Sequence, residues 1–214
     1  MEKRNYTEDI KYLIKKRISE EEVGTNNYLL PEDMAKKVRT YMSMREDLIL
    51  CSKTTVELLK LVEAGISEQH ILTALWTSMI IMYSKCFTDA GFAKKSKLQI
   101  ENIVDATRTD LLDIHSRIMS VRHTFVAHRG ENENEQAIVY MKIPKKGEFG
   151  NTTEYNIKSL RANNFGIDNL KLSQELFGFV LPAVEKKLHV ELEKIHHHIM
   201  TSYSPEILHS WLIK

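Results

Sequence analysis

The sequence predicts a mainly α-helical bundle with one small β-hairpin around residues 135–159. Over most of the chain, apolar residues recur at steps of three and four, the period of a helix with one buried face. Only 8 glycines and 4 prolines interrupt the 214 residues. Between Glu135 and Ser159 the period changes to two, because Ala137, Val139 and Met141 alternate with other residues before a turn rich in Pro and Gly. The length and the 43% hydrophobic content fit one folded domain over 1–214, with 1–30 as an N-terminal helical extension.

The first helices are placed by turn and capping residues. A short helix is predicted over Thr7–Ile18, followed by an acidic, Asn-rich loop over Glu20–Asn27. Pro31 indicates the first position of a second helix, and Gly65 indicates its end. Ser67 is expected to cap a third helix, whose two sides both look apolar. This third helix is therefore predicted to be central.

The middle of the chain contains an exposed connection and a further helix. The third helix is expected to reach about Thr88, and Asp89–Lys97 reads as the connection that follows. Leu98–Val104 is predicted as a short helix, and either Thr109 or Asp110 as the cap of the next one.

The last part of the chain is again helical. From about Asp168 the helical period resumes, with a kink expected at Pro182 because proline removes a hydrogen bond of the helix. Ser204 and Pro205 indicate the start of a short terminal helix.

One helix carries an arginine where its pattern calls for an apolar residue. Its apolar stripe consists of Leu111, Ile114, Ile118, Val121 and Phe125, and it is expected to end near Gly130. Arg122 falls close to this stripe, and His115 projects in nearly the same direction two turns earlier. An unpaired buried charge is costly, so Arg122 should meet a carboxylate, a carbonyl, another subunit or an anionic ligand.

The composition restricts the other classes of function. Lys+Arg 30 against Asp+Glu 29 leaves no bulk charge to attract nucleic acid. Cys51 and Cys86 are far apart, which argues against a disulfide scaffold and favours a reducing, cytoplasmic setting. The charged start of the chain and the interrupted apolar runs predict neither export nor a membrane segment. The run of histidines at 196–198 points in directions about 100° apart, so no metal and no cofactor are expected.

The residues Arg122 and Ala127-His128-Arg129, at the end of a helix in a helical protein, resemble the Arg-x(4–6)-His motif of HEPN domains. The layout is most similar to the AbiU2-like branch of that superfamily. The likeness in architecture spans 31–200, whereas the recognisable residues are confined to 121–130. The sequence departs from the family where His123 replaces the small polar residue, often Asn, that follows the motif arginine.

The resemblance implies a metal-independent endoribonuclease of a toxin–antitoxin or phage-defence system, acting as a homodimer. RNA would be cleaved by attack of its own 2′-hydroxyl, with His128 as acid or base and Arg122 holding the phosphoryl oxygens. The secondary candidates for substrate binding are His123, Thr124, Arg129 and His115. A nucleotidyltransferase-type antitoxin is the further partner that the resemblance implies.

Two other interpretations of the sequence stay open. In the first, the chain is a non-catalytic dimeric HEPN-like module that binds RNA or protein, with Arg122 tied to Asp113, Asp110 or a neighbouring helix. His128 would then only favour the negative end of the helix dipole. In the second, the chain is a helical scaffold unrelated to HEPN domains.

Overall fold

The computed structural model describes residues 6–21, 26–66, 68–88, 97–123, 135–142, 154–161 and 166–213. Within these ranges the protein is mainly helical, which confirms the predicted class. The helices are α1 Tyr6–Glu21, α2 Glu32–Glu63, α3 Gln69–Lys85, α4 Thr109–Val121, α5 Ile167–Ser202 and α6 Pro205–Ser210. A short 3₁₀ helix covers Ile100–Asn102.

Two strands lie between α4 and α5. They are β1 Glu135–Lys142 and β2 Glu154–Arg161, paired antiparallel from Glu135 opposite Arg161 to Lys142 opposite Glu154. The turn predicted between the strands lies outside the described residues.

The chain divides into two compact units. One unit contains Met1–Thr40 and Lys187–Lys214, and the other contains Tyr41–Lys186. In the first unit, the backbone around Tyr28 pairs with that around Leu212 as an isolated antiparallel bridge. The single domain predicted over 1–214 stays a prediction.

The hydrophobic core lies in the unit Tyr41–Lys186 and is built by α2, α3, α4 and α5. Its largest fully buried side chains include Tyr83, Phe177, Leu48, Met79, Ile80, Leu111 and Ile118. The burial of Trp76 and Tyr83 on α3 agrees with the central position predicted for the third helix. The core fixes one side of α4 and thereby orients the side chains on the rest of that helix.

The end of α2 follows the predicted glycine signal. Gly65 has a φ of 71°, which only glycine adopts easily. The N–H of Ile66 donates to the carbonyl of Leu61 over 3.0 Å, and that of Gly65 donates to the carbonyl of Val62 over 3.0 Å. This pair of bonds is a Schellman motif, which satisfies carbonyls left free at the helix end.

Several predicted boundaries are wrong by a few residues. Pro31 precedes α2, and its carbonyl accepts from the Ala35 N–H over 3.0 Å. Helix α1 continues to Glu21 and so enters the predicted loop. Helix α3 ends at Lys85, because the N–H of Cys86 bonds three residues back, to Tyr83, and tightens the last turn.

The predicted short helix and two of the predicted caps also need correction. Only Ile100–Asn102 of the predicted segment Leu98–Val104 is helical. Helix α4 begins at Thr109, so Arg108 occupies the cap position without a side-chain cap. The expected cap Ser67 lies outside the described residues. Pro182 lies inside α5, which continues past it to Ser202.

Candidate functional site

Helix α4 presents three stripes that differ in exposure. The buried stripe is Leu111, Ile114, Ile118 and Val121. The half-buried stripe is Leu112, His115, Met119 and Arg122. The exposed stripe is Asp113, Ser116, Arg117, Ser120 and His123. Because residues three and four apart share a helix face, the core fixes the first stripe and leaves the second at its border.

Arg122 directly follows the last residue of α4 and is half-buried. With His123 it forms a wider turn of π type that follows the last α-helical residue, Val121, and the predicted end near Gly130 lies outside the described residues. A cation is favourable there, because the helix dipole places negative charge at its C-terminal end. The sequence prediction that Arg122 lies close to the apolar stripe is confirmed, and the structure refines it to the border of that stripe.

The guanidinium of Arg122 contacts the ring of its neighbour. Its Nη1 lies 3.4 Å from Nδ1 of His123. A guanidinium only donates, so Nδ1 is the acceptor and the ring proton lies on Nε2. His123 itself is exposed, which leaves Nε2 available at the surface. The structure therefore brings together an arginine and a histidine at this helix end, although the histidine is not His128.

Neither aspartate considered as a structural partner neutralises Arg122. Asp110 accepts two hydrogen bonds from Arg108 instead. Asp113 lies on the exposed stripe, and within the described residues no carboxylate forms an ion pair with Arg122. In this part of the chain, His123 is the polar group in contact with the Arg122 guanidinium.

His115 lies on the half-buried stripe seven residues before Arg122. Its Nδ1 is 2.8 Å from the hydroxyl oxygen of Tyr83. Its ring stands edge-on to Phe87, with 4.7 Å between centroids, and edge-on to Tyr83 at 5.8 Å. Burial lowers the pKa of His115, and the charge of Glu101 opposes that shift. His115 is therefore held by aromatic neighbours and favours its neutral form.

The contact of Tyr83 with His115 was not part of the sequence prediction. Tyr83 is fully buried and also packs on Phe177, with 5.1 Å between centroids. A buried tyrosine hydroxyl needs a hydrogen-bond partner, and that need was the available signal. The partner lies 32 residues away on another helix, so sequence spacing did not identify it.

A second cluster that sequence reasoning missed holds the start of α4. Arg108 donates to both oxygens of Asp110, at 3.0 and 2.8 Å, and to Glu175 of α5 at 2.6 Å. Its guanidinium also lies 5.6 Å from the ring centroid of Phe179. These bonds raise the pKa of Arg108 and lower that of Asp110. This arginine is thus saturated by partners within the fold.

The remaining site candidates are not placed by the structure. His128, Thr124 and Arg129 lie outside the described residues, as does the apolar Phe125. The three histidines 196–198 are exposed on α5, and His198 bonds Ser202 over 3.1 Å. Within the described ranges, no group of three His, Cys, Asp or Glu side chains could hold a metal ion.

Comparison with known proteins assigns no family to this chain. In the described ranges, every helix is too short or too polar to cross a membrane. No protein-family model, curated protein or solved structure matches the sequence.

Proposed function

We propose that this protein is a metal-independent endoribonuclease that uses the Arg122–His128 motif. One observation carries the proposal: a half-buried guanidinium at the end of α4 contacts an imidazole and has no carboxylate partner among the described residues. A cation at the border of a core calls for an anionic partner. A phosphodiester is such a partner, and the resemblance to HEPN domains specifies RNA.

The chemistry needs a base, an acid and a clamp for negative charge. The 2′-hydroxyl of RNA attacks the adjacent phosphorus as a base removes its proton, and an acid protonates the leaving 5′-oxygen. His128 supplies the base or the acid, since histidine titrates near neutral pH. Arg122 donates to the phosphoryl oxygens and stabilises the charge that develops on them. Of the secondary contacts, His123 already stands beside Arg122, whereas Thr124 and Arg129 follow from the sequence alone.

The proposal includes the partners that the resemblance implies. The active form is a homodimer in which two copies of the motif face one shared RNA strand. A nucleotidyltransferase-type antitoxin holds the activity in check within a toxin–antitoxin or phage-defence system of the cytoplasm. No cofactor takes part in the reaction.

The alternative is a non-catalytic HEPN-like module that binds RNA or protein. The contact between Arg122 and His123 favours it, because one donor of the guanidinium is already engaged within the chain. His123 also stands where the family often has a small polar residue. In this version Arg122 would bind an anion without promoting its cleavage.

The test is an RNA cleavage assay with the purified full chain in the presence of a chelator. We expect products that end in a 2′,3′-cyclic phosphate, and no cleavage of DNA of the same sequence, because DNA lacks the attacking hydroxyl. Arg122→Ala and His128→Ala should both lower the activity by about 10²-fold or more. The matched control is Arg117→Ala, which removes an exposed arginine of the same helix.

Two outcomes would decide against the proposal. If the native chain leaves RNA intact but binds it, and Arg122→Ala weakens that binding, the non-catalytic module is correct. If cleavage persists unchanged in folded Arg122→Ala and His128→Ala variants, the assigned residues are wrong.

A further inference from the structure

The bond between Tyr83 and His115 sets the form of the histidine. Tyr83 is fully buried, and burial raises the pKa of its hydroxyl, so the phenol stays protonated. Among the described residues, the hydroxyl has no acceptor other than Nδ1 of His115, at 2.8 Å. The phenol therefore donates to Nδ1, and the ring proton of the neutral histidine lies on Nε2.

Aromatic packing fixes the direction of that Nε2–H. The ring of His115 is inclined at 68° to Phe87 and at 72° to Tyr83. Because Nδ1 and Nε2 lie on different edges of the ring, holding Nδ1 against Tyr83 directs Nε2 away from it. His115 is only half-buried, so the ring is not enclosed by the core. The result is an oriented hydrogen-bond donor at the border of the core.

This donor lies on the same stripe as Arg122. Seven residues separate the two, which is nearly two turns and about 10 Å along the helix axis. Met119 stands between them on the stripe. The Arg122 guanidinium and the His115 N–H at this separation suit a strand that carries several phosphates better than a single small anion.

We propose that Tyr83 acts as a positioning residue that presents the Nε2–H of His115 to a second phosphate of the RNA strand bound at Arg122. The inference rests on the proposed function, since it takes RNA as the ligand of Arg122. It adds a subsite outside the Arg-His motif and assigns a role to a core residue that touches no substrate.

The charges around His115 set the strength of this subsite. Burial lowers the pKa of the ring, which keeps it neutral near pH 7, so the subsite offers a hydrogen bond without a full charge. The carboxylate of Glu101 acts on the same ring and would repel a phosphate. Glu101→Gln should therefore strengthen RNA binding by about two-fold at low salt.

The experiment uses a single-stranded 2′-O-methyl oligoribonucleotide, which binds like RNA but lacks the attacking hydroxyl. Tyr83→Phe removes only the hydroxyl, and Tyr41→Phe is the matched control in the same unit. We expect Tyr83→Phe to weaken binding by up to about ten-fold, the effect of losing one hydrogen bond to a charged group, because part of the His115 population still carries its proton on Nε2; the control should bind like the native chain. Binding is measured by fluorescence anisotropy.

The ¹⁵N chemical shifts of His115 report which ring nitrogen carries the proton. If Tyr83 only stabilised the fold, a change in this tautomer would not accompany the loss of RNA binding. In the native chain they should report one tautomer with the proton on Nε2, and in Tyr83→Phe a mixture. His115→Gln supplies a side-chain N–H that needs no tautomer. In that background Tyr83→Phe should cause no further loss of binding.

Three outcomes would overturn the inference. In the first, the native chain does not bind the oligonucleotide. In the second, a folded Tyr83→Phe variant binds as tightly as the native chain. The third applies if Tyr83→Phe does not fold, and it is a His115→Ala variant that binds with native affinity. The proposed function is decided separately by cleavage of unmodified RNA. If the native chain cleaves RNA but Tyr83→Phe binds the oligonucleotide as tightly as the native chain, only the role of Tyr83 is wrong. If Tyr83→Phe weakens binding but the native chain does not cleave RNA, only the proposed ribonuclease activity is wrong.

Discussion

The two ends of α4 each carry an arginine, and the two arginines differ in what surrounds them. Arg108, just before the helix, binds both Asp110 and Glu175 and lies over Phe179. Arg122, just after the helix, contacts the ring of His123. The first guanidinium has its charge neutralised twice within the fold. The second has no ion pair with a described carboxylate and lies on the half-buried stripe at the border of the core.

The difference has a physical cause in the helix dipole. A cation at the N-terminal end of a helix meets the positive end of the dipole and needs compensation, which Asp110 and Glu175 provide. A cation at the C-terminal end is favoured by the dipole, so Arg122 can stay without a described carboxylate in the free chain and still offer its guanidinium to an external anion. Residue type alone therefore does not separate an arginine compensated within the fold from one without a described carboxylate partner, whereas position on the helix and partners do.

The strongest test of this contrast is the activity of Arg122→Ala. We expect RNA cleavage to fall by about 10²- to 10³-fold, as when one donor to a developing oxyanion is removed. The Tm should stay close to that of the native chain, because no described ion pair is broken. Cleavage rates under single-turnover conditions and a thermal melt measure the two effects.

Arg108→Ala is the control for that experiment, and it should retain nearly all the cleavage activity. If Arg108→Ala lost as much activity as Arg122→Ala, the two ends of α4 would not differ in function.

The second largest effect concerns the stripe that holds both ends in place. Ile118 is fully buried in the core on α4. Ile118→Ala should lower the free energy of unfolding by about 2–5 kcal/mol, from lost apolar burial and the cavity left behind. Urea denaturation measures the change. Ile118→Val is the graded control and should cost only about 0.5–1.5 kcal/mol.

A smaller loss for Ile118→Ala than for Ile118→Val would show that this position is not part of a packed core. Because Ile118 faces the core and not the half-buried stripe, cleavage by the folded fraction of Ile118→Val should stay near the native level.

The faces of α4 could be predicted from the sequence because they follow from the spacing of its apolar residues. The buried positions Leu111, Ile114 and Ile118 repeat with the helical period, so the pattern alone identified the stripe and its direction. Arg122 was identified as an exception to that pattern, and its half-buried position agrees. Local periodicity is thus sufficient for the faces of a helix.

Partners across the fold could not be derived in the same way. Glu175 is 67 residues from Arg108, and Tyr83 is 32 residues from His115, so both contacts depend on how separate helices pack. The cap of α4 was misassigned for a related reason: Asp110 has the residue type of a cap, but Arg108 engages its carboxylate. The residues next to a side chain in the sequence do not show which distant residue will bind it in the folded chain.

A moderate loss of stability is expected when the interactions of Arg108 at the start of α4 are removed. Arg108→Ala leaves the carboxylates of Asp110 and Glu175 without their shared cation and removes the contact with Phe179. These groups are exposed enough for water to replace much of the interaction, so the Tm should fall by only a few degrees. Differential scanning calorimetry measures the shift.

The salt dependence of the Tm of Arg108→Ala separates the contribution of the ion pairs from that of packing. The Tm difference between Arg108→Ala and the native chain should shrink at 1 M salt, since ions screen exposed pairs. An equal difference at low and high salt would assign the loss to packing on Phe179 and not to the ion pairs.

The smallest expected effect is the dependence of stability on pH at the same end of the helix. The hydrogen bonds from Arg108 lower the pKa of Asp110 below its usual 3.8 in the folded chain. A carboxyl group with a lowered folded pKa stabilises the fold above its unfolded pKa, and that stabilisation is lost as the pH falls through the folded pKa. Asp110→Asn should therefore be less stable than the native chain at pH 5–7, and the gap should narrow below about pH 4. Urea denaturation of both chains at each pH measures the gap, and the comparison of the two chains cancels the titration of the other carboxylates. A gap that stays constant down to pH 3 would mean that Asp110 acts through its uncharged hydrogen bonds and that Arg108 is not neutralised by it.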